Sequence, residues 1–397
     1  MDNLTHSLTG SALAAAGLRR VSPLGTATLI VAANAPDVDA LIYLIRDEYF
    51  ALSFRRGWTH GPLAMVVLPF VVAGAVLAWD RGVRRRRAPA AERARPLPIL
   101  LLAFLGVLTH PALDWMNTYG IRLLAPVSLR WYYGDALFIV DPWLWLVLGA
   151  ATFLAWAPRG RALVGWLALA LAASALVLAV PLVPAAAKAV WLAGLAAVGV
   201  VHRTAEAAAP VGVWEGGAGA RQAAVAVARR AGAGPDARTA AARWALALGV
   251  AYVLLMVGSG RGAARLVREA ARDRGIGPVE RVMVAPVPAN PFRGEVVVAT
   301  PTAYHLGAFD WLGDPRVRLG PDSIVRAPRG PVIDAAADAD AARNYLAWSR
   351  FPFFRVDTLP DGYRVRIGDA RYLDPGGAGS LAGVTVRLDR ELRPVDR

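Results

Sequence analysis

The sequence predicts a mainly α protein: a polytopic transmembrane helical bundle of about eight segments, with a small C-terminal β-rich soluble domain. Three observations lead there. Of 397 residues, 56% are hydrophobic and 19% charged, against about 45–50% and roughly 25% in soluble globular chains. The apolar residues gather into runs near the length of about 20 that crosses a bilayer. After residue 260 the apolar runs shorten, become β-prone and alternate with Pro and Gly. The same composition excludes a disordered chain, which needs low hydrophobicity and high charge. Cys is 0, which excludes disulfide scaffolds, thiolate metal sites and cysteine nucleophiles.

Taken in order, spans are predicted at residues 62–79, 97–113, 137–156, 162–180, 185–201 and 244–258, preceded by two shorter segments at 8–18 and 24–35. The first is not a signal peptide, because His6 stands where a basic region belongs and Arg19-Arg20 follows the apolar stretch. Residues 1–201 form the predicted membrane domain, 202–243 an Ala/Gly/Arg cytoplasmic linker and 244–260 the last transmembrane helix. Residues 261–397 are read as a basic interfacial helix followed by a β-rich extracytoplasmic domain. Within it, Arg364-Val365-Arg366-Ile367 alternates with the two-residue period of a half-buried strand.

A net charge of +14, from 44 Lys+Arg against 30 Asp+Glu, suggests either nucleic acid or an anionic membrane. The arginines decide. They cluster at 19–20, 81–95, 159–161 and 203–243, in every second loop. Short basic loops stay in the cytoplasm, so both termini and the loops 37–60, 110–136 and 181–184 are expected outside. The run at 84–87 lacks the interleaved aromatics of single-strand binders. Membrane lipids are therefore the expected partners, and no direct nucleic-acid contact is expected.

Only five histidines are present, and three follow threonine: Thr5-His6, Thr59-His60 and Thr109-His110. Asp37, Asp39 and Asp114 accompany them. His110 and Asp114 are four apart, which on a helix puts both on one face. Asp37 and Asp39 project to one side if the chain is extended there, and both remain reachable at a helix start. Imidazole and carboxylate suit Zn²⁺, Mn²⁺ or Fe²⁺. Singly, each residue has a plainer reading, as an interfacial imidazole or a helix cap. Together, His6, Asp37, Asp39, His60, His110 and Asp114 fall on one membrane face, where ionisable groups are expensive and functional. They are the candidate ligands of a divalent metal, Zn first, held as one ion or two. Asp39 or Asp114 is the candidate general base. Arg56 is the candidate contact to an anionic group, its alternative being a headgroup-facing arginine. Asp135 and Asp141 either support the site or cap helices, while His202 and His305 are expected outside it.

The series Thr5-His6-Ser7, Pro36-Asp37-Val38-Asp39, Arg56-Gly57-Trp58-Thr59-His60 and His110-Pro111-Ala112-Leu113-Asp114 resembles the bacterial membrane-bound metal-dependent hydrolase family. These proteins are also called LexA-binding, inner-membrane-associated hydrolases. Gly120-Ile121-Arg122-Leu123-Leu124-Ala125-Pro126 resembles the family's segment after its His–Asp motif. The likeness covers about the first 145 residues. It implies a multi-pass inner-membrane protein with those six residues at its metal site. Two departures stand out: Arg55, where many members carry histidine, and Gly61, where Ser is common. The function expected is metal-dependent hydrolysis of a phosphoester or ester in a lipid-linked or envelope substrate. The alternative is a non-enzymatic scaffold or regulator holding a protein partner, such as the repressor in the family's name. A transporter fits less well, because the acids gather at one face and not at the midplane.

Overall fold

The architecture is that of a computed structural model, which describes residues 1–207, 235–326, 329–372 and 383–395; most of the linker expected at 202–243 lies outside them. α1 (Asn3–Ala15) starts where the Asp2 carboxylate accepts from the Thr5 N–H and hydroxyl, at 3.0 and 2.6 Å, satisfying an orphan helix donor. It ends before Gly17, whose φ of 123° suits only glycine well. α2 (Gly25–Asn34) passes into a 3₁₀ helix, Ala35–Leu44, at Pro36. α3 (Glu48–Phe54) is capped by Asp47. Then come α4 (Pro62–Trp79), α5 (Pro96–Trp115), α6 (Pro142–Trp156), α7 (Arg161–Ala179), α8 (Ala185–Ala207) and α9 (Pro235–Asp273).

Helices occupy all eight predicted segments. Among the described residues six helical stretches are long and apolar enough to cross a membrane: Gly25–Leu44, Pro62–Arg87, Pro96–Trp115, Arg161–Ala179, Ala185–Thr204 and Arg238–Asp273. α1 and α6 are shorter, with 13 and 15 residues. α6 begins later than the apolar run beneath it because Asp141 caps it, accepting from the Trp143 and Leu144 N–H groups at 3.0 Å. Asp141 is thus a helix cap, the second of the two readings given to it. α2 is clasped between α1 and α5. A Cβ at Gly10 would lie 2.6 Å from the Leu29 carbonyl oxygen, and one at Gly106 would lie 3.0 Å from the same atom. Small residues permit this approach, as between helices in lipid generally.

The arginine-rich segments meet at one end of the bundle. Arg243 donates to the Ala16 carbonyl at 2.9 Å, and the Arg95 N–H donates to Ser22 Oγ at 2.9 Å. The 110–136 loop lies at the other end, under the β domain. α9 is one helix of 39 residues, so the predicted span and the basic stretch after it are continuous. Its Ala263, Val267 and Ala271 reach into the core of the first sheet, against Val296, Val298 and Phe309.

That sheet is antiparallel, in the order β1 (Arg281–Val287), β2 (Asn290–Ala299), β3 (Ala303–Asp310), β4 (Val317–Val325). Two short helices follow, α10 (Pro331–Ala337) and α11 (Asp340–Trp348). They cover a second antiparallel sheet of β5 (Pro352–Leu359), β6 (Gly362–Asp369) and β7 (Val384–Asp389). Val365 and Ile367 of β6 face this core as the alternation predicts. Leu52 of α3 enters the same core. Trp131 Nε1 donates to the Ala347 carbonyl at 2.7 Å, Arg350 pairs with Asp135 at 2.8 Å, and Arg371 Nη1 donates to the Thr118 carbonyl at 2.8 Å. Asp135 is therefore a clamp between the two parts.

Candidate metal centre

Four groups converge at the end of the bundle under the β domain. Asp37 comes from the 3₁₀ helix, His60 from the turn before α4, and His110 and Asp114 from one face of α5, as their spacing of four predicts. One ligand atom of each lies within 4.8 Å of all the others, and all four side chains are buried. The Nε2 atoms of His60 and His110 are 3.1 Å apart. Asp114 Oδ2 is 3.4 and 3.6 Å from them, and Asp37 Oδ1 is 4.0 and 3.7 Å away.

Hydrogen bonds on the far sides of both rings fix their tautomers. His110 Nδ1 lies 2.7 Å from the Ala33 carbonyl, which only accepts, so Nδ1 carries a proton and in the neutral ring Nε2 is the free nitrogen. The Thr59 hydroxyl donates to Asp39 Oδ2 at 2.8 Å. Its oxygen is therefore the acceptor for His60 Nδ1, also at 2.8 Å, and His60 Nε2 is likewise unprotonated. Burial pushes the His60 imidazole below its ordinary pKa, favouring the neutral ring. With both rings neutral, two lone pairs face each other at 3.1 Å. That arrangement is repulsive unless a cation lies between them, and it is the outer-shell geometry that metal-ligating histidines adopt. His6 Nδ1 is also buried without a hydrogen-bond partner among the described residues, the kind of orphan atom that an ion or water satisfies. The residues fit a divalent metal.

The other two of the six stand behind this set. His6 stacks on His110 with ring centroids 3.8 Å apart, and its Nε2 is 3.3 Å from Asp114 Oδ1. The Met1 amino group pairs with that same oxygen. Asp39 departs from its expected place as ligand and general base. A 3₁₀ helix turns about 120° per residue, so positions 37 and 39 point apart, whereas an extended chain would align them. Asp39 accepts instead from the Arg56 N–H and the Thr59 hydroxyl, both at 2.8 Å, on the Nδ1 side of His60.

Arg56 departs too. Its residue is 3% exposed. Nε is 2.9 Å from Asp114 Oδ2, Nη1 donates to Asn117 Oδ1 at 3.0 Å, and the guanidinium lies over the Tyr119 ring at 4.7 Å. It holds Asp114 and does not face open space. Its φ of 53° is rare outside glycine, and the bonds to Asp39 and from the Arg122 N–H to its carbonyl (2.9 Å) secure it. Arg55, which replaces the histidine expected from the resemblance, bridges Asp37 Oδ1 at 2.8 Å and Asp39 Oδ1 at 3.4 Å, with its side chain 21% exposed. Gly61 has no room for Ser: a Cβ there would lie 1.9 Å from the Ala125 carbonyl oxygen.

Three contributors escaped sequence reading: Thr59, the Ala33 carbonyl and the Asn117–Tyr119 segment. Only Thr59 carried a signal, as the neighbour of His60. His202 lies on α8 beside Phe153, and His305 lies on β3, both elsewhere as expected.

A helical membrane domain with a buried, cation-shaped His–carboxylate cluster under one end defines an integral membrane protein with a candidate divalent-metal site. Residues 1–187 match the family model described as YdjM inner membrane protein, the membrane-bound metal-dependent hydrolase family that the motifs resemble. The matched residues, just under half of the chain, include all six candidate positions. No curated protein and no solved structure matches the chain.

Proposed function

We propose that this protein is a metal-dependent hydrolase of the inner membrane, acting at its outer face on a phosphoester or ester of a lipid-linked or envelope substrate. The observation that carries the reading is the pair of Nε2 atoms 3.1 Å apart, flanked by two carboxylates. Asp37, His60, His110 and Asp114 would hold the ion, and the N/O donor set suits Zn²⁺, Mn²⁺ or Fe²⁺. A divalent ion there supplies Lewis acidity, polarising the scissile bond and making water a nucleophile near neutral pH. Four donors within 4.8 Å suit one ion per chain.

The chain's own groups have distinct tasks in this reading. Arg56 orients Asp114, while Thr59 and the Ala33 carbonyl orient the two imidazoles. Asp37 has a side-chain exposure of 7%, against 0% for the other three, so in this reading substrate approaches from its side. Arg55, also on that side, meets an anionic group of the substrate; guanidinium binds phosphate bidentately. The arginine-rich end supports an outer-face location, because basic loops remain inside.

The test uses full-length protein in detergent, stripped with chelator and reloaded with Zn²⁺ or Mn²⁺. One ion per chain is expected, falling to background in the His60→Ala/His110→Ala variant. Undiminished metal in that variant defeats the site assignment. Metal that binds as expected without hydrolysis of any phospholipid, lipid-diphosphate or ester lipid defeats the hydrolase reading alone.

A further inference from the structure

A cavity of about 1080 Å³ lies beneath the β domain and shares no residue with the metal centre. Its walls are apolar: Trp143 and Val147 of α6, Val190 of α8 and Leu248 of α9. Val190 and Leu248 are 56% and 61% exposed, on helices of membrane-spanning length. In a bilayer that exposure is exposure to acyl chains.

The rim is different. It comes from two turns of the first sheet, β1–β2 and β3–β4. Phe292, near the start of β2, and Leu312, in the β3–β4 turn, are 48% and 78% exposed, and aromatic and aliphatic groups so placed sit at the bilayer boundary. Four charged groups share the rim: Arg293, Asp310, Asp314 and Arg318. Arg293 and Asp310 neutralise each other at 2.7 Å. Among the described residues Arg318 and Asp314 form no salt bridge, though Arg318 also acts on Asp310, so the rim sets two cations and two anions above an apolar trough.

We propose that this cavity binds one zwitterionic phospholipid with a primary-ammonium headgroup. Its acyl chains lie along α6, α8 and α9, its phosphate meets Arg318, and its ammonium meets Asp314. An anionic headgroup would satisfy Arg318 and be repelled by Asp314; a choline head offers the carboxylate no N–H donor. The β domain on this view reads lipid headgroups, whether or not the metal centre hydrolyses anything.

Native mass spectrometry of the full-length protein released from nanodiscs tests this, with phosphatidylethanolamine, phosphatidylcholine and phosphatidylglycerol as separate arms. One phosphatidylethanolamine per chain is expected to remain, at least tenfold above either alternative. Arg318→Gln/Asp314→Asn should lower its retention at least tenfold while the metal content stays at the wild-type level. Leu248→Trp, which fills the trough without touching the rim, should do the same. Wild-type protein that retains no lipid, equal retention by both variants, or preference for phosphatidylglycerol would each overturn the proposal.

Discussion

Thr59 controls which nitrogen of His60 is available. With its hydroxyl committed to Asp39, its oxygen can only accept from Nδ1, which turns the Nε2 lone pair towards His110. Thr59→Val removes that instruction at almost constant volume. Metal affinity is expected to fall about 10–100-fold, the usual cost of losing a partner behind a metal-binding histidine. Competition with a fluorescent chelator measures it. Thr109→Val is the control, since that hydroxyl donates only to the Gly106 carbonyl of its own helix, at 2.7 Å. In the sequence the three Thr-His pairs look equivalent. They are not: Thr5 bonds Asp2 and Trp145, Thr109 bonds backbone, and only Thr59 touches its histidine. Residue type and spacing made the ligands legible, but hydroxyl orientation depends on partners distant in the chain. A second residue-scale case is Asp369. Burial alone would raise its pKa, but the Arg371 guanidinium, the Ser349 hydroxyl and the Arg371 N–H outweigh that and hold it at about 2. A depressed carboxylate stabilises the fold above its unfolded pKa and ceases to do so as pH falls through the folded value. The β domain should therefore lose about 2 kcal/mol between roughly pH 4 and pH 2. Asp369→Asn should be flat across that window, as read by hydrogen exchange in β5 and β6.

At the scale of elements, the metal centre depends on where α2 lies, because its last turn carries the Ala33 carbonyl and leads into Asp37. Gly10 and Gly106 set its position from opposite sides. Gly10→Ala would drive a methyl to 2.6 Å from the Leu29 oxygen, and Gly106→Ala would bring one to 2.6 Å from the Ala32 Cβ. Each is expected to cost about 1–3 kcal/mol of overpacking, seen as a lower melting temperature in detergent together with weaker metal binding. Gly74→Ala, with nothing within 4 Å, should melt like wild type. Periodicity and run length revealed the helices themselves, and they misled where a boundary depended on something else. The 137–156 run is apolar throughout, yet the helix waits for the Asp141 cap. The division of α9 at residue 260 followed a change in composition, though Gly258, Gly260 and Gly262 do not interrupt the helix. β3 and β4 were not foreseen because Gly307, Gly320 and Pro321 break the alternation that marks a strand. The 3₁₀ turn at Asp37 was hidden for a related reason: one residue type serves a cap, an extended chain and a tight helix alike.

For the whole molecule, the decisive relation is between its two ends. The arginine-rich loops gather at one end through Ala16–Arg243 and Ser22–Arg95. The cluster and the β domain share the other, joined by Arg350–Asp135 and Arg371–Thr118. None of those joining contacts is visible in local sequence, since each spans more than 200 residues. The alternation of basic loops is visible, and it orients the pair: if arginines stay inside, the centre and the β domain face outward together. The absence of cysteine makes this directly measurable. Ala90→Cys, in the arginine-rich loop, should react with a membrane-impermeant maleimide only after cells are permeabilised. Asp361→Cys, on the exposed β5–β6 turn, should react in intact spheroplasts. The reverse pattern would put the cluster at the cytoplasmic face, where an envelope substrate cannot reach it; the metal chemistry would then have to serve a cytoplasmic amphiphile. Labelling of both before permeabilisation would separate the β domain from the positive-inside argument and leave the arginines without a topogenic role.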